Sequence, residues 1–214
     1  MAEEIGLFEA IYRQRAIRYF KPDPVPDELV HKLIEAGTKA PSGGNRQPWK
    51  FLVIKDEELK RRIGEYYRRG YEAAYGSGDT TTGALQPAVR RSATSLAETM
   101  HQVPLLILAC IEHDGSAAAT GRGGSIFPAV QNILLAAQGL GLGSVLTSLH
   151  RRYETEIKEL LGIPENVETV ALLPIGYPAA GSRYGPTTRQ PVAEIAYLDR
   201  WGAAQDSLKV LELG

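Results

Sequence analysis

The sequence is poor in the residues that the commonest chemistries need. A single cysteine, Cys110, excludes a disulfide within the chain. It lies inside the apolar run Leu105–Ile111 and reads as a small core residue rather than a nucleophile. The four histidines, His31, His101, His113 and His150, form no pair at i,i+3 or i,i+4, which argues against a zinc site. There is no Gly-x-Ser-x-Gly elbow and no Walker loop. A net charge of −1 with no long basic run gives no reason to expect a nucleic-acid partner. No apolar run approaches the ~18 residues of a membrane span, and Met1-Ala2-Glu3-Glu4 is acidic with no apolar leader behind it, so the expectation is a soluble, cytoplasmic protein. Gly139-x-Gly141-x-Gly143 has a dinucleotide-like spacing, but it follows a helix and precedes a strand, the reverse of the Rossmann order.

What is present is an ordinary globular composition: 214 residues, 43% hydrophobic and 23% charged, with no repeat and no dividing linker. A single domain over 1–214 is expected. Apolar periodicity predicts helices over about 5–14, 27–39 (capped by Asp27), from Asp56 past Tyr67, 92–100, from a Ser125 cap to Gly139, and 154–161 closed by Gly162. Short β-branched or wholly apolar runs predict strands at 49–54, 105–111, 144–148 and 169–175, with a possible edge strand at 193–198. Residues 76–91 and 113–124 follow neither period, and stretches of this kind in a compact protein are more often functional or mobile than structural.

Two stretches carry chemistry. Between the second helix and the first strand stands Ala40-Pro41-Ser42-Gly43-Gly44-Asn45-Arg46-Gln47-Pro48-Trp49. Pro41 ends the helix, the glycines let the backbone lie close to a flat ligand, and Ser42, Asn45 and Gln47 supply short polar groups. By itself the loop suits an ordinary helix-to-strand turn better than a ligand site. The second stretch is Arg13-Gln14-Arg15-Ala16-Ile17-Arg18-Tyr19-Phe20, with Arg189 closing a later loop. Guanidinium groups give bidentate, charge-assisted bonds to phosphate oxygens, although three arginines also suit plain surface charge.

Taken together, these stretches resemble the nitroreductase family of flavin mononucleotide (FMN) enzymes. Gln14 to Phe20 is similar to the family's Arg-Arg-Ser-x-Arg-x-Phe phosphate motif, and Ala40 to Trp49 to its Ala-Pro-Ser-x-x-Asn-x-Gln-Pro-Trp loop. Gln131-Asn132 with the following helix and strand, Leu173 to Pro178, and Arg189-Gln190-Pro191 agree in order. The resemblance implies an α+β fold, a mixed central sheet flanked by helices, in an intertwined homodimer. It implies FMN bound at the interface, with Arg13, Gln14, Arg15, Ala16, Arg18 and Arg189 at the phosphate and ribityl chain. Pro41, Ser42, Gly43 and Asn45 would come from the partner subunit, and Leu146, Thr147 and Ser148 would lie along the ring system. Gln14 and Ala16 depart from the motif, removing one donor and one hydroxyl. The implied activity is hydride transfer from NADH or NADPH through flavin N5 to a small, aromatic acceptor, a nitro compound or quinone, by alternating use of one site. No side chain is assigned as catalytic, and no metal is implied. The segments 70–91 and 113–124 would wall the acceptor pocket, and Tyr66, Tyr67, Tyr71 and Tyr75 could stack on a ring. The alternatives are reductive dehalogenation or flavin cleavage on the same fold, or a non-catalytic FMN-binding protein.

Overall fold

Strand β2 (Leu105–Glu112) runs through the middle of the molecule, and every residue of it but the last is buried. The structure, a computed structural model, describes residues 5–76, 85–113 and 119–202. Beside β2 lie β1 (Trp49–Ile54) on one edge and β4 (Val167–Gly176) on the other, with the short β3 (Gly143–Ser144) beyond β4. The α+β class expected from sequence is observed. All the described pairings are antiparallel, so the mixed sheet is not seen among these strands. The reason lies in the β1–β2 connection. Helix α3 (Glu57–Tyr75) leaves one end of the sheet and α4 (Pro87–Thr99) packs against it on the way back. A helix pair brings the chain back to the end it left, whereas a single crossover would make neighbours parallel.

Alternation along β2 divides the core. Leu105, Ile107, Ala109 and Ile111 face a layer built by Val30 and Leu33 of α2 (Asp27–Thr38) and Ile126, Val130 and Ile133 of α5 (Ala119–Gly139). Leu106, Leu108 and Cys110 face the opposite layer, with Ile63 and Tyr67 of α3, Leu96 of α4, and Ile157 of α6 (Glu154–Leu161). Each fully buried side chain of this size contributes about 1.5–3 kcal/mol. Cys110 is buried as the sequence indicates, and burial pushes its thiol up to about 12.

Several local expectations are corrected. Asp27 is the first residue of α2 rather than its cap, and its carboxylate pairs with Lys55 instead. Asp56, by contrast, caps α3 by accepting from the Leu59 N–H at 2.8 Å, and Gly162 closes α6 at φ 65°. Helix α5 begins at Ala119, upstream of Ser125, because a glycine costs a helix only about 1 kcal/mol and does not stop one. The strand expected over 144–148 shrinks to Gly143–Ser144, with an isolated bridge from Thr147 to Leu172. Pro174 stands on β4 next in that register and has no N–H to continue the ladder. The edge strand expected over 193–198 is replaced by a short helix, α7 (Val192–Ile195), started by Pro191. The irregular stretches expected over 76–91 and 113–124 are shorter than that, since α4 starts at Pro87 and α5 at Ala119. Residues 77–84 and 114–118 of the expected pocket walls lie outside the described residues.

A 3₁₀ turn, Leu149–Tyr153, sits against α3 and holds His150 at 0% exposure, with no hydrogen-bond partner for either ring nitrogen among the described residues. Burial, aided by Arg151, lowers its pKa to about 3. The unfolded chain takes up this proton below about pH 6.5 while the native state refuses it, so stability is full above that pH and lost as pH falls toward about 3. Between pH 7 and pH 5 the loss from this one group is expected to be about 2 kcal/mol. Urea unfolding of wild type and His150→Leu at both pH values checks this. A variant with the same pH dependence as wild type would contradict it.

Candidate functional site

The segment after α1 (Leu7–Arg13) is extended and tied to the sheet edge. The Ile17 N–H donates to Ser144 O at 2.9 Å, and Phe20 bridges Pro178. Ile17 is buried as the anchor, which sends its neighbours Ala16 and Arg18 the other way. This fixes two arginines three residues apart beside one cleft. Its outer part, a cavity of about 300 Å³, is lined by Arg15, Ala16, Arg18, Ser92, Ser182 and Arg183. Its deeper part, about 230 Å³, is lined by Arg18, Tyr67, Tyr71, Leu146, Thr147 and Ser148 among others. Arg18 and Val89 belong to both.

The electrostatics favour an anion at the outer end. Arg15 and Arg18 have no carboxylate partner among the described residues, although seven of the described arginines and lysines form ion pairs. Burial holds the Arg18 guanidinium below the ordinary arginine value; the phenols of Tyr67 and Tyr19 oppose this and Arg15 adds to it. Its one described bond is from Nη1 to Ser92 Oγ at 3.3 Å. A half-buried guanidinium beside a second one is an uncompensated charge that a phosphate dianion would neutralise.

The deeper end is different in character. Leu146 and Ser148 are exposed on its wall, while Thr147 is tied down: its hydroxyl donates to Tyr67 Oη at 3.2 Å and its N–H to Leu172 O at 3.0 Å. Burial raises the Tyr67 pKa, and the bond from Thr147 opposes that. Tyr67, Tyr71 and Tyr75 all line this part, as the clustering of tyrosines suggests. Tyr66 does not, because it stacks on Tyr153 at 5.6 Å with Arg69 over the Tyr153 ring at 4.5 Å.

The other residues singled out from sequence lie elsewhere on the chain. Arg13 pairs with Glu9 at 2.6 Å and lines a neighbouring hollow with Arg183 and Tyr184. Gln14 follows α1 and lines neither part of the cleft. Arg189 is exposed, with Nη1 on the adjacent Thr188 carbonyl at 3.0 Å. Pro41, Ser42, Gly43 and Asn45 also line neither part. Their loop is nonetheless built with strain: Gly44, Asn45 and Gln47 all have positive φ, at 59°, 54° and 53°. For Gln47 this conformation costs on the order of 1 kcal/mol. It is held by Ser42 Oγ, which accepts the Gln47 N–H at 3.1 Å, and by Gln47 Nε2 donating to Asn45 Oδ1 at 3.1 Å. The Gly43 N–H reaches Ser125 Oγ of α5 at 3.4 Å.

Sequence reasoning missed Arg183, Ser182 and Ser92. The signal for the first two was legible, since Gly181-Ser182-Arg183 is a glycine-led turn carrying a cation, with Gly181 at φ 82°. Among the described residues no group of three or more His, Cys, Asp or Glu is placed to hold a metal, and no helix is long and apolar enough to cross a membrane.

Fold and cleft define an α+β protein with two adjoining cavities, one lined by guanidinium groups and the other by phenols and the Leu146–Ser148 segment. The nitroreductase family model matches residues 11–177, and the chain belongs to the nitroreductase family of oxidoreductases. It is 31% identical over 173 residues, 78% of this chain and 83% of the relative, to an Archaeoglobus fulgidus protein named as a candidate NADH dehydrogenase/NAD(P)H nitroreductase. It is 30% identical over 210 residues to iodotyrosine deiodinase of Daphnia pulex, covering 91% of this chain and 67% of that one. Among solved structures, oxidized iodotyrosine deiodinase bound to FMN and 3-iodo-L-tyrosine superposes with a TM-score of 0.72 at 26% identity, over 90% of this chain and 100% of that one.

Proposed function

We propose that the protein is an FMN-dependent oxidoreductase that takes reducing equivalents from NADH or NADPH and passes them to a small aromatic acceptor, a nitro compound or quinone. The observation that carries this is Arg15 and Arg18, without carboxylates, at the mouth of a cleft whose other end is the Leu146–Ser148 wall. The residues present fit the cofactor: two or three guanidinium groups suit a terminal phosphate, and an exposed apolar and hydroxyl wall suits a flat ring system. When bound, FMN supplies the two-electron chemistry at N5. Arg15, Arg18 and Arg183 would hold the phosphate end, and Leu146 and Ser148 would position the ring. Thr147 has its N–H committed to Leu172, so Ser148 is the better donor toward N5. Donor and acceptor would occupy the same open face in turn, which gives parallel double-reciprocal lines.

A homodimer with two shared sites belongs to the same proposal. Helix α1 exposes Leu7 (66%), Phe8 (67%) and Tyr12 (68%) along one side, and Phe127 of α5 is also exposed. An apolar stripe of this kind on the surface marks an interaction site. The strained Pro41–Asn45 loop would complete the partner's flavin site rather than its own. Reductive dehalogenation is the second reading, favoured by the similarity to iodotyrosine deiodinases. The purified protein is expected to be yellow, to release FMN, and to sediment as a dimer with two flavins. Anaerobic reduction by NADH and NADPH, then re-oxidation by nitroaromatics, quinones and 3-iodotyrosine, tests the reaction. A colourless protein that binds no added FMN would overturn it, and turnover only with the iodinated substrate would select the second reading.

A further inference from the structure

Proton accounting in the deeper part of the cleft leaves one buried phenol with a proton to give. Thr147 Oγ1 donates to Tyr67 Oη at 3.2 Å, and the backbone of Thr147 is paired in both directions with Leu172. Tyr71 Oη lies 2.8 Å from Thr94 Oγ1, which spends its own proton on Arg90 O at 2.9 Å, so Tyr71 must be the donor there. Ser92 likewise spends its proton on Val89 O at 3.0 Å and accepts from Arg18. Tyr67 alone accepts a hydrogen bond while its own O–H has no acceptor among the described residues, although the residue is only 3% exposed. A buried donor without a partner is costly, and this one stands on a cavity wall shared with Arg18 and lined by no carboxylate among the described residues.

Resting on the FMN reading above, we infer that Tyr67, aimed by Thr147 and seconded by Arg18, donates a hydrogen bond to the oxygen-bearing N1–O2 edge of the flavin. Hydride delivered by a nicotinamide brings two electrons and one proton, so the ring system gains one negative charge, which that edge carries. A donor there binds the reduced state more tightly than the oxidised one. Burial raises the pKa of Tyr67 and keeps it a donor at neutral pH. Tyr67 is thus a tuning residue of the site as well as part of the α3 core.

The test uses FMN-loaded wild type, Tyr67→Phe and Thr147→Val, with dissociation constants for oxidised FMN from fluorescence and midpoint potentials from dye equilibration. Tyr67→Phe is expected to bind oxidised FMN within about threefold of wild type and to lose roughly tenfold of its preference for the reduced form. A tenfold change for two electrons is about 30 mV, here downward. Thr147→Val, which frees the phenol to rotate while keeping the size of a side chain on the cavity wall, is expected to lose roughly threefold. Wild type that holds no FMN fails the parent reading and this inference with it. Wild type that holds FMN beside a Tyr67→Phe variant of unchanged potential overturns this inference alone. So does an unchanged potential with slower re-oxidation by a quinone, which would assign the phenol to the acceptor.

Discussion

Replacing both Arg15 and Arg18 by alanine is expected to leave a folded protein whose FMN affinity has fallen by roughly 10²–10³-fold. Each guanidinium gives a charge-assisted bond of about 1.5–3 kcal/mol, with exposed Arg15 at the low end. Their sum, about 3–4.5 kcal/mol, converts to that range. The fold has little to lose from the change. Arg15 makes no described ion pair, and Arg18 has burial working against its charge and a single long bond to Ser92. Fluorescence titration with FMN, beside circular dichroism, measures both halves. A dissociation constant within threefold of wild type would remove the phosphate from this end of the cleft.

The second large effect is steric and has a sign that separates two explanations. Gly70 lies in the last third of α3, where a Cβ would stand 2.5 Å from the backbone carbonyl oxygen of Leu149. Elsewhere on a helix, Gly→Ala stabilises by about 1 kcal/mol through propensity. Here the added methyl meets backbone, and overpacking of this kind costs about 1–3 kcal/mol or more. Gly70→Ala is therefore expected to lower the melting temperature by several degrees, at roughly 2–4 °C per kcal/mol for a chain of this size. It should also displace the Leu149–Tyr153 turn and the adjoining Leu146–Ser148 wall, weakening FMN binding. Calorimetry settles the sign, and a raised melting temperature would mean that α3 and the turn are not in contact as described.

Much of the architecture was legible because it is locally encoded. Helices α2 and α3, the apolar run Leu105–Ile111 of β2 and the Gly162 stop each follow from a period or a terminus signal a few residues long. The Arg15/Arg18 pair was legible for the same reason, as their spacing survives on one tethered segment. What escaped depends on residues distant in sequence. The early end of β3 is imposed by Pro174, some thirty residues later. The bond from Thr147 to Tyr67 spans 80 positions, and Arg183 joins the cleft from beyond β4. The start of α5 was hidden by glycines whose local penalty the helix absorbs. The pocket walls at 77–84 and 114–118 were marked by lack of pattern alone, and they lie outside the described residues.

Because β2 sends alternate side chains into two separate layers, it also sets what can change without disturbing what. Among the described residues, Tyr67 and Tyr71 belong to one buried cluster and Leu33 and Ile133 to another, and β2 contributes alternate side chains to each. Side chains on opposite faces share no packing partners, so substitutions in the two layers should combine additively. Substitutions around the Arg18–Tyr67 cavity should therefore leave the α2–α5 layer in its shape. One strand acts as a firewall between innovation and integrity.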